Sequence, residues 1–172
     1  MANRSSVIDC YVGLGSNLDQ PVQQIEQALT ELNHLPNTDC VAVSSLYHSQ
    51  PMGPADQPDY VNAVARLNTT YSALELLQQL LKLENSHGRQ RQPQQQNGPR
   101  TLDLDLLIYG DQCIDEPGLT VPHPGLHRRD FVLLPMLEIS PDVDVPGLGK
   151  LSVWREKSVN HGAQRGDAPR WQ

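Results

Sequence analysis

Lysine is nearly missing from this chain: of 13 basic residues only three are lysine and ten are arginine. Phenylalanine occurs once and tryptophan twice, too few aromatics for an RNA-recognition sheet that stacks bases on exposed rings. The three cysteines, Cys10, Cys40 and Cys113, stand far apart without a C-x-x-C pair. That pattern suggests neither a zinc knuckle nor a disulfide framework and leaves buried, reduced thiols as the expectation. No apolar run approaches the ~20 residues that span a bilayer. The opening stretch, Met1 to Ser6, is polar and has no apolar signal core behind it, so a cytoplasmic protein with no membrane partner is expected. There is no G-x-x-x-x-G-K-[ST] loop, and Gly13-x-Gly15 lacks the third glycine of a dinucleotide fingerprint. A net charge of −7 argues against coating nucleic acid.

What is present fits one globular domain over residues 1–172, with 38% hydrophobic residues to build a core. The core is expected over about residues 7–146, and the polar tail, about 150–172, is expected to fray or pack loosely. Val7 to Leu14 reads as a first strand, followed by a helix with Asn17 or Asp19 as its cap, Pro21 in its first turn, and Val22, Ile25, Leu29 and Leu32 on one face. Cys40 to Tyr47 reads as a second strand. The loop from Ser49 to Asp59 carries three prolines and a glycine and should be irregular yet stiff. Tyr60 to Thr69 is the third strand. Ser72 with Glu75 makes a capping box for a second helix to about Glu84, with Leu74, Leu77 and Leu81 on its apolar face and Gly88 as its stop. Gln90 to Asn97 reads as a mobile loop. Thr101 to Tyr109 is the clearest strand, and Gln112 to Ile114 reads as a short returning hairpin arm. Phe131 to Ile139 reads as a short last helix capped by Asp130. The order strand, helix, strand, strand, helix, strand is that of a ferredoxin-like βαββαβ sandwich: an α+β fold with helices packed on an antiparallel sheet, extended here by a C-terminal hairpin and short helix.

The chemistry concentrates in Gly98-Pro99-Arg100-Thr101-Leu102-Asp103-Leu104-Asp105. Alternate side chains of a strand share a face, so Leu102, Leu104 and Leu106 face the core while Thr101, Asp103 and Asp105 face away. Two carboxylates on one face, roughly 6–7 Å apart, suit a hard cation such as Mg²⁺ that also takes phosphate oxygens. A bare D-x-D is better explained by a solvated polar face. Arg89, Arg91 and Arg100 nearby favour a phosphate site, because guanidinium grips phosphate bidentately. His123 sits in Val121-Pro122-His123-Pro124 before Arg128-Arg129. Pro124 argues against one continuous helix through His123 and His127, so a paired metal site there is not expected.

Four stretches resemble hydroxymethyldihydropterin pyrophosphokinase, over about residues 7–146: Gly13-Leu14-Gly15-Ser16-Asn17; Gly53-Pro54 through Gln57-Pro58-Asp59-Tyr60-Val61-Asn62; Gly98 through Asp105; and Val121-Pro122-His123-Pro124 with Arg129 and Phe131. The resemblance implies transfer of pyrophosphate from ATP to the hydroxymethyl group of 6-hydroxymethyl-7,8-dihydropterin, with AMP released, in folate biosynthesis. It implies that Asp103 and Asp105 hold two Mg²⁺ ions, and that Arg89, Arg91, Arg100, His123 and Arg129 bind the ATP phosphates, with Arg89 and Arg100 catalytic alongside the aspartates. Glu84 would face the nucleotide end. Tyr60 and Phe131 would sandwich the pterin, Asn62 would bond its edge, and Ser49, Gln50 and Met52 would offer backbone groups. A monomer acting on small molecules is implied. The chain departs from the family at Gln96, where relatives usually carry a basic residue, and at Gln50, where many have proline. Two rivals share some of these features: a two-metal phosphodiesterase or pyrophosphatase, and a non-enzymatic ferredoxin-like binding module.

Overall fold

The computed structural model describes residues 6–51, 53, 56–88 and 101–171. Met52, Arg89, Arg91, Gln96, Arg100 and the loop Gln90 to Asn97 lie outside the described residues. In chain order the elements are β1 (Ile8–Ser16), α1 (Pro21–Asn33), β2 (Thr38–Val43), β3 (Tyr47–Ser49), β4 (Tyr60–Thr69), α2 (Ala73–Ser86), β5 (Asp103–Tyr109), β6 (Ile114–Glu116), β7 (Leu119–Val121), α3 (Asp130–Ile139), β8 (Asp144–Val145), β9 (Gly149–Lys150) and β10 (Gln164–Arg165). A 3-10 turn spans Leu151–Trp154. The main sheet runs β10-β3-β4-β1-β5, with β2 also paired to β4. Every pairing in it is antiparallel. The architecture is the expected mixture of helix and antiparallel sheet.

The alternation of side chains along β1 and β5 builds two layers. Val12 and Leu14 of β1 and Leu104 and Leu106 of β5 bury with Ile25, Leu29 and Leu32 of α1 and Leu76 and Leu80 of α2. On the other face, Tyr11, Leu107 and Ile108 bury with Leu133 and Met136 of α3. A bulge makes that second layer possible: Tyr11 pairs with Ile108 and Val12 with Leu106, so Leu107 is an extra residue on β5. Both Leu107 and Ile108 then reach the α3 side.

Ser72 caps α2 as expected, its hydroxyl accepting from the Glu75 N–H while Glu75 accepts from the Ser72 N–H. Such a cap contributes about 1 kcal/mol. Gly88 follows the helix at φ +78°, the left-handed stop that glycine adopts without a Cβ penalty.

Several sequence expectations change. The buried face of α2 is Ala73, Leu76, Leu80 and Glu84, whereas Leu74 is 53% exposed. A run of leucines allows two helical faces, and the buried carboxylate at Glu84 masks the true one. Neither Asn17 nor Asp19 caps α1; Gln20 occupies that position in the left-handed region, with no side-chain cap, and Val22 is exposed. Asn17 instead donates to Gln57 Oε1 at 3.1 Å and to the Pro58 carbonyl at 2.9 Å, holding the loop before β4. The expected second strand is two short ones, β2 and β3, and the hairpin is β6 with β7 rather than a return along β5. Asp130 is the first residue of α3, whose cap position belongs to Arg129. The tail, expected to fray or pack loosely, has specific contacts: β10 pairs with β3, Trp171 packs against the larger core layer, and the Trp171 carbonyl accepts from the Thr30 hydroxyl at 3.0 Å. No helix among the described residues is long and apolar enough to cross a membrane.

Of the cysteines, Cys10 and Cys40 are buried but Cys113 is exposed, which corrects the expectation for the third. Burial pushes the Cys10 thiol up to about 12 and the Cys40 thiol up to about 11. Both stay protonated at neutral pH and are poor nucleophiles. Titration with a disulfide reagent at pH 8 should modify one thiol quickly in the native protein and all three cysteines of the sequence after unfolding. Fast modification of two or three in the native state would contradict this packing.

Candidate active site

β1 lies between β4 and β5, and two of its residues on the face toward α3 are glycines. Gly15 pairs with Asn62 on one side and Asp103 on the other; Gly13 pairs with Val64 and Asp105. Directly paired residues in antiparallel strands point to the same face. A strip without side chains therefore runs between Asn62 and the two aspartates. It forms the floor of an open cleft between β4, β5 and the start of α3. A Cβ on Gly15 would sit 3.2 Å from Asn62 Oδ1 and 3.9 Å from the Tyr60 ring. The sequence flagged this glycine stretch without assigning it a task; only the strand register supplies one.

Ser49, Gln50, Tyr60, Asn62, Asp103, Asp105, Arg129 and Phe131 all line the cleft, joined by Val132, which sequence reasoning missed. Tyr60 and Ser49 stand at the paired ends of β4 and β3, and Gln50 continues from β3. Phe131 and Val132 come from the first turn of α3. Asn62 is 6% exposed and donates through Nδ2 to the Ser49 hydroxyl at 2.7 Å. That bond orients the amide and leaves Oδ1 on the Gly15 side, where it can accept from a ligand N–H.

Asp103 and Asp105 share the cleft face of β5, as the alternation predicted, with Leu102, Leu104 and Leu106 buried behind them. β5 ends the sheet, so the outward N–H of Leu104, between the two aspartates, needs a partner. Glu84 supplies it: its Oε2 accepts from Leu104 N at 2.9 Å, and Glu84 is only 1% exposed. Glu84 therefore does not line the cleft; its bond to Leu104 ties the C-terminal turn of α2 to the strand that carries the carboxylates.

His123 is placed by its own backbone, whose N–H donates to the Leu107 carbonyl at 2.9 Å. Its Nδ1 accepts from the Gly125 N–H at 3.0 Å, so a neutral ring carries its proton on Nε2. Nε2 lies 4.0 Å from Asp105 Oδ2, too far for a direct hydrogen bond. Burial, and then the charge of Arg129, hold the His123 pKa below its ordinary value, partly offset by Asp103. The lowered pKa favours the neutral ring at pH 7, whose Nε2–H is a donor beside Asp105. Arg129 packs over Gly125: a Cβ there would stand 2.6 Å from the Arg129 Nε. Gly125 is a second residue whose part in the site only the structure shows.

A hard divalent cation fits this donor set. Two carboxylates project from one face of a fixed strand into an open cleft, with oxygen donors only and no thiolate. Among the described residues no cluster of three or more His, Cys, Asp or Glu could hold a metal by itself. A cation here would complete its shell with phosphate oxygens or water, as Mg²⁺ does.

Residues 11–141 match the family described as 7,8-dihydro-6-hydroxymethylpterin-pyrophosphokinase, HPPK. The chain is 49% identical over 140 residues to the 2-amino-4-hydroxy-6-hydroxymethyldihydropteridine pyrophosphokinase of Haemophilus influenzae, covering 81% of this chain and 86% of that one. It is 50% identical over 136 residues to the enzyme of the same name from Pseudomonas aeruginosa, covering 79% and 83%. The fold resembles a crystal structure of Plasmodium falciparum HPPK-DHPS with a TM-score of 0.74 at 13% identity, covering 95% of this chain and 50% of that longer one. With its cleft, its carboxylate pair and its sequence match in agreement, the chain belongs to the 7,8-dihydro-6-hydroxymethylpterin-pyrophosphokinase family.

Proposed function

We infer that this chain transfers the pyrophosphoryl group of ATP to the hydroxymethyl group of 6-hydroxymethyl-7,8-dihydropterin, a step of folate biosynthesis. The observation that carries the reading is the meeting of a flat, glycine-floored slot with a pair of carboxylates in one cleft. The pterin would lie over Gly15 between Tyr60 and Phe131, with Asn62 Oδ1 accepting from its edge and Ser49 and Gln50 at its rim. The triphosphate would run toward Asp103, Asp105, His123 and Arg129. Arg89, Arg91 and Arg100 are proposed to complete the phosphate grip, and Met52 the pterin rim. The protein is proposed to act as a monomer, and a cytoplasmic location would supply the ATP.

In the reaction the pterin hydroxyl oxygen bonds to the β-phosphorus, the bridge from that phosphorus to the α-phosphate breaks, AMP departs with the bridging oxygen, and the hydroxyl proton is released. Asp103 and Asp105 would hold Mg²⁺, two ions on our reading, which when bound neutralises the phosphate charge and orients the oxygens. The protein's own work is alignment and charge. The slot fixes the pterin alcohol on one side, while Arg129 and the neutral His123 Nε2–H bind phosphate oxygens on the other. Glu84 keeps the Asp103–Asp105 segment in place by holding Leu104. None of the described side chains is placed as an obvious general base, which suits a transfer with little covalent work for the protein.

Incubation with ATP, Mg²⁺ and the pterin alcohol should yield AMP and pterin pyrophosphate in equal amounts. A phosphodiesterase or pyrophosphatase would instead release phosphate or pyrophosphate, and ADP as the main product would reject pyrophosphoryl transfer.

Asp103→Ala and Asp105→Ala should each lower kcat/KM by roughly 10²-fold or more, since each ~1.4 kcal/mol of lost transition-state stabilisation is a factor of ten. Neither side chain is in the core, so the melting temperature should stay within a few degrees of the parent's. Near-normal activity in either variant would remove that residue from the metal site.

A further inference from the structure

The segment Val159–Arg165 lies beyond the stretch that matches the family, yet it touches both lips of the cleft. On the β3 lip, Gln50 N donates to the His161 carbonyl at 2.8 Å, and β10 pairs with β3 through Gln164 with His48 and Arg165 with Tyr47. On the α3 lip, Val159 N donates to the Arg128 carbonyl at 2.8 Å, and Val159 bridges to Arg129. Asp130, only 7% exposed, accepts through Oδ2 from His161 N at 3.0 Å and from Ala163 N at 3.1 Å. This is where its carboxylate goes instead of capping α3. The His161 ring then meets the Phe131 ring edge to face, with centroids 5.2 Å apart and planes at 77°. The far end is anchored by Arg165, whose Nε donates to the Ser45 hydroxyl at 3.1 Å and whose Nη2 lies 3.4 Å from Glu138 Oε2.

We propose that this C-terminal strap sets the width of the pterin slot, and that His161 is a positioning residue that holds the Phe131 ring in its stacking orientation. The inference rests on the pterin reading of the cleft. A phenylalanine on the first turn of a helix is free to turn about its side-chain bonds unless a neighbour blocks it. The imidazole packed against it in a T-shaped contact restricts that turning, and the Asp130 hydrogen bonds fix the backbone that carries the imidazole. His161 acts through Phe131 and touches no reacting atom. Its effect should fall on pterin binding and leave the nucleotide end untouched. The ring Nδ1 also lies 3.2 Å from the Val159 carbonyl oxygen and 3.5 Å from Asp130 Oδ1; a phenyl ring would give up those contacts and keep the T-shaped one that holds Phe131.

The test compares the full-length parent protein with its His161→Ala and His161→Phe variants. Binding of 6-hydroxymethylpterin is followed by its fluorescence, binding of ATP with Mg²⁺ by calorimetry, and stability by thermal melting. His161→Ala should weaken pterin binding about three- to tenfold, the range of one lost aromatic contact, with ATP affinity unchanged, and His161→Phe should restore pterin binding. The strap proposal is overturned if His161→Ala binds pterin like the parent protein. It is equally overturned if pterin and ATP affinities fall together with the melting temperature, or if His161→Phe fails to restore binding. A parent protein that binds ATP but no pterin would overturn both this inference and the reading beneath it, which separates the two failures.

Discussion

The site depends on one constraint: the central strand must present no side chain where it passes between its two neighbours. Glycine in the interior of a strand weakens it, because it adds backbone entropy to the unfolded chain and packs nothing. β1 accepts that twice, at Gly13 and Gly15, on the face toward α3. The opposite face of the same strand carries Val12 and Leu14 and is fully packed against α1 and α2. The strand is thus held along one face and by Tyr11 at the start of the other, whose glycine end is left open. The remaining parts of the site follow from that opening. Asn62 can lean toward Gly15, Tyr60 and Phe131 can stand apart across the gap, and the aspartates of β5 can be reached from the pterin side.

An open face needs rigid borders. Asn17 grips the loop before β4, Glu84 grips β5 at Leu104, and Asp130 grips the C-terminal strap. These three buried or nearly buried polar side chains each satisfy backbone N–H or carbonyl groups at an edge or in a loop, where no sheet ladder is available. Leaving a buried carboxylate without such partners would cost several kcal/mol. Their placement therefore reads as structural work in the service of the cleft. Catalysis by alignment requires that shell, since positioning errors of an ångström are expensive in rate.

The parts of this arrangement that repeat along the chain were legible in the sequence. Alternation placed Asp103 and Asp105 opposite Leu102, Leu104 and Leu106, and the Ser72–Glu75 box fixed the start of α2. Family resemblance, carried by short motifs, brought Tyr60, Asn62 and Phe131 to one cleft. What stayed hidden was whatever depends on partners far away in sequence. The leucine-rich α2 has two plausible faces, and only the Glu84 bond to Leu104 selects one. The polarity of the tail suggested fraying, but its backbone groups pair with β3, and Asp130 holds it through hydrogen bonds that composition does not reveal. Gly125 looks like an ordinary turn residue until Arg129 is seen lying across it.

The claim that β1 is kept bare for the ligand is tested most directly by Gly15→Ala. The backbone at Gly15 is not in the left-handed region, so alanine suits the strand, and with Asn62 shifting to make room the melting temperature should stay within a few degrees of the parent's. The new methyl group would crowd Asn62 Oδ1 at 3.2 Å and stand on the slot floor. A flat ligand on that floor would have to overlap the methyl group, and overlap of this kind costs about 1–3 kcal/mol, so pterin binding measured by fluorescence titration should weaken on the order of tenfold or more. An unchanged pterin dissociation constant in a stably folded Gly15→Ala protein would contradict the account.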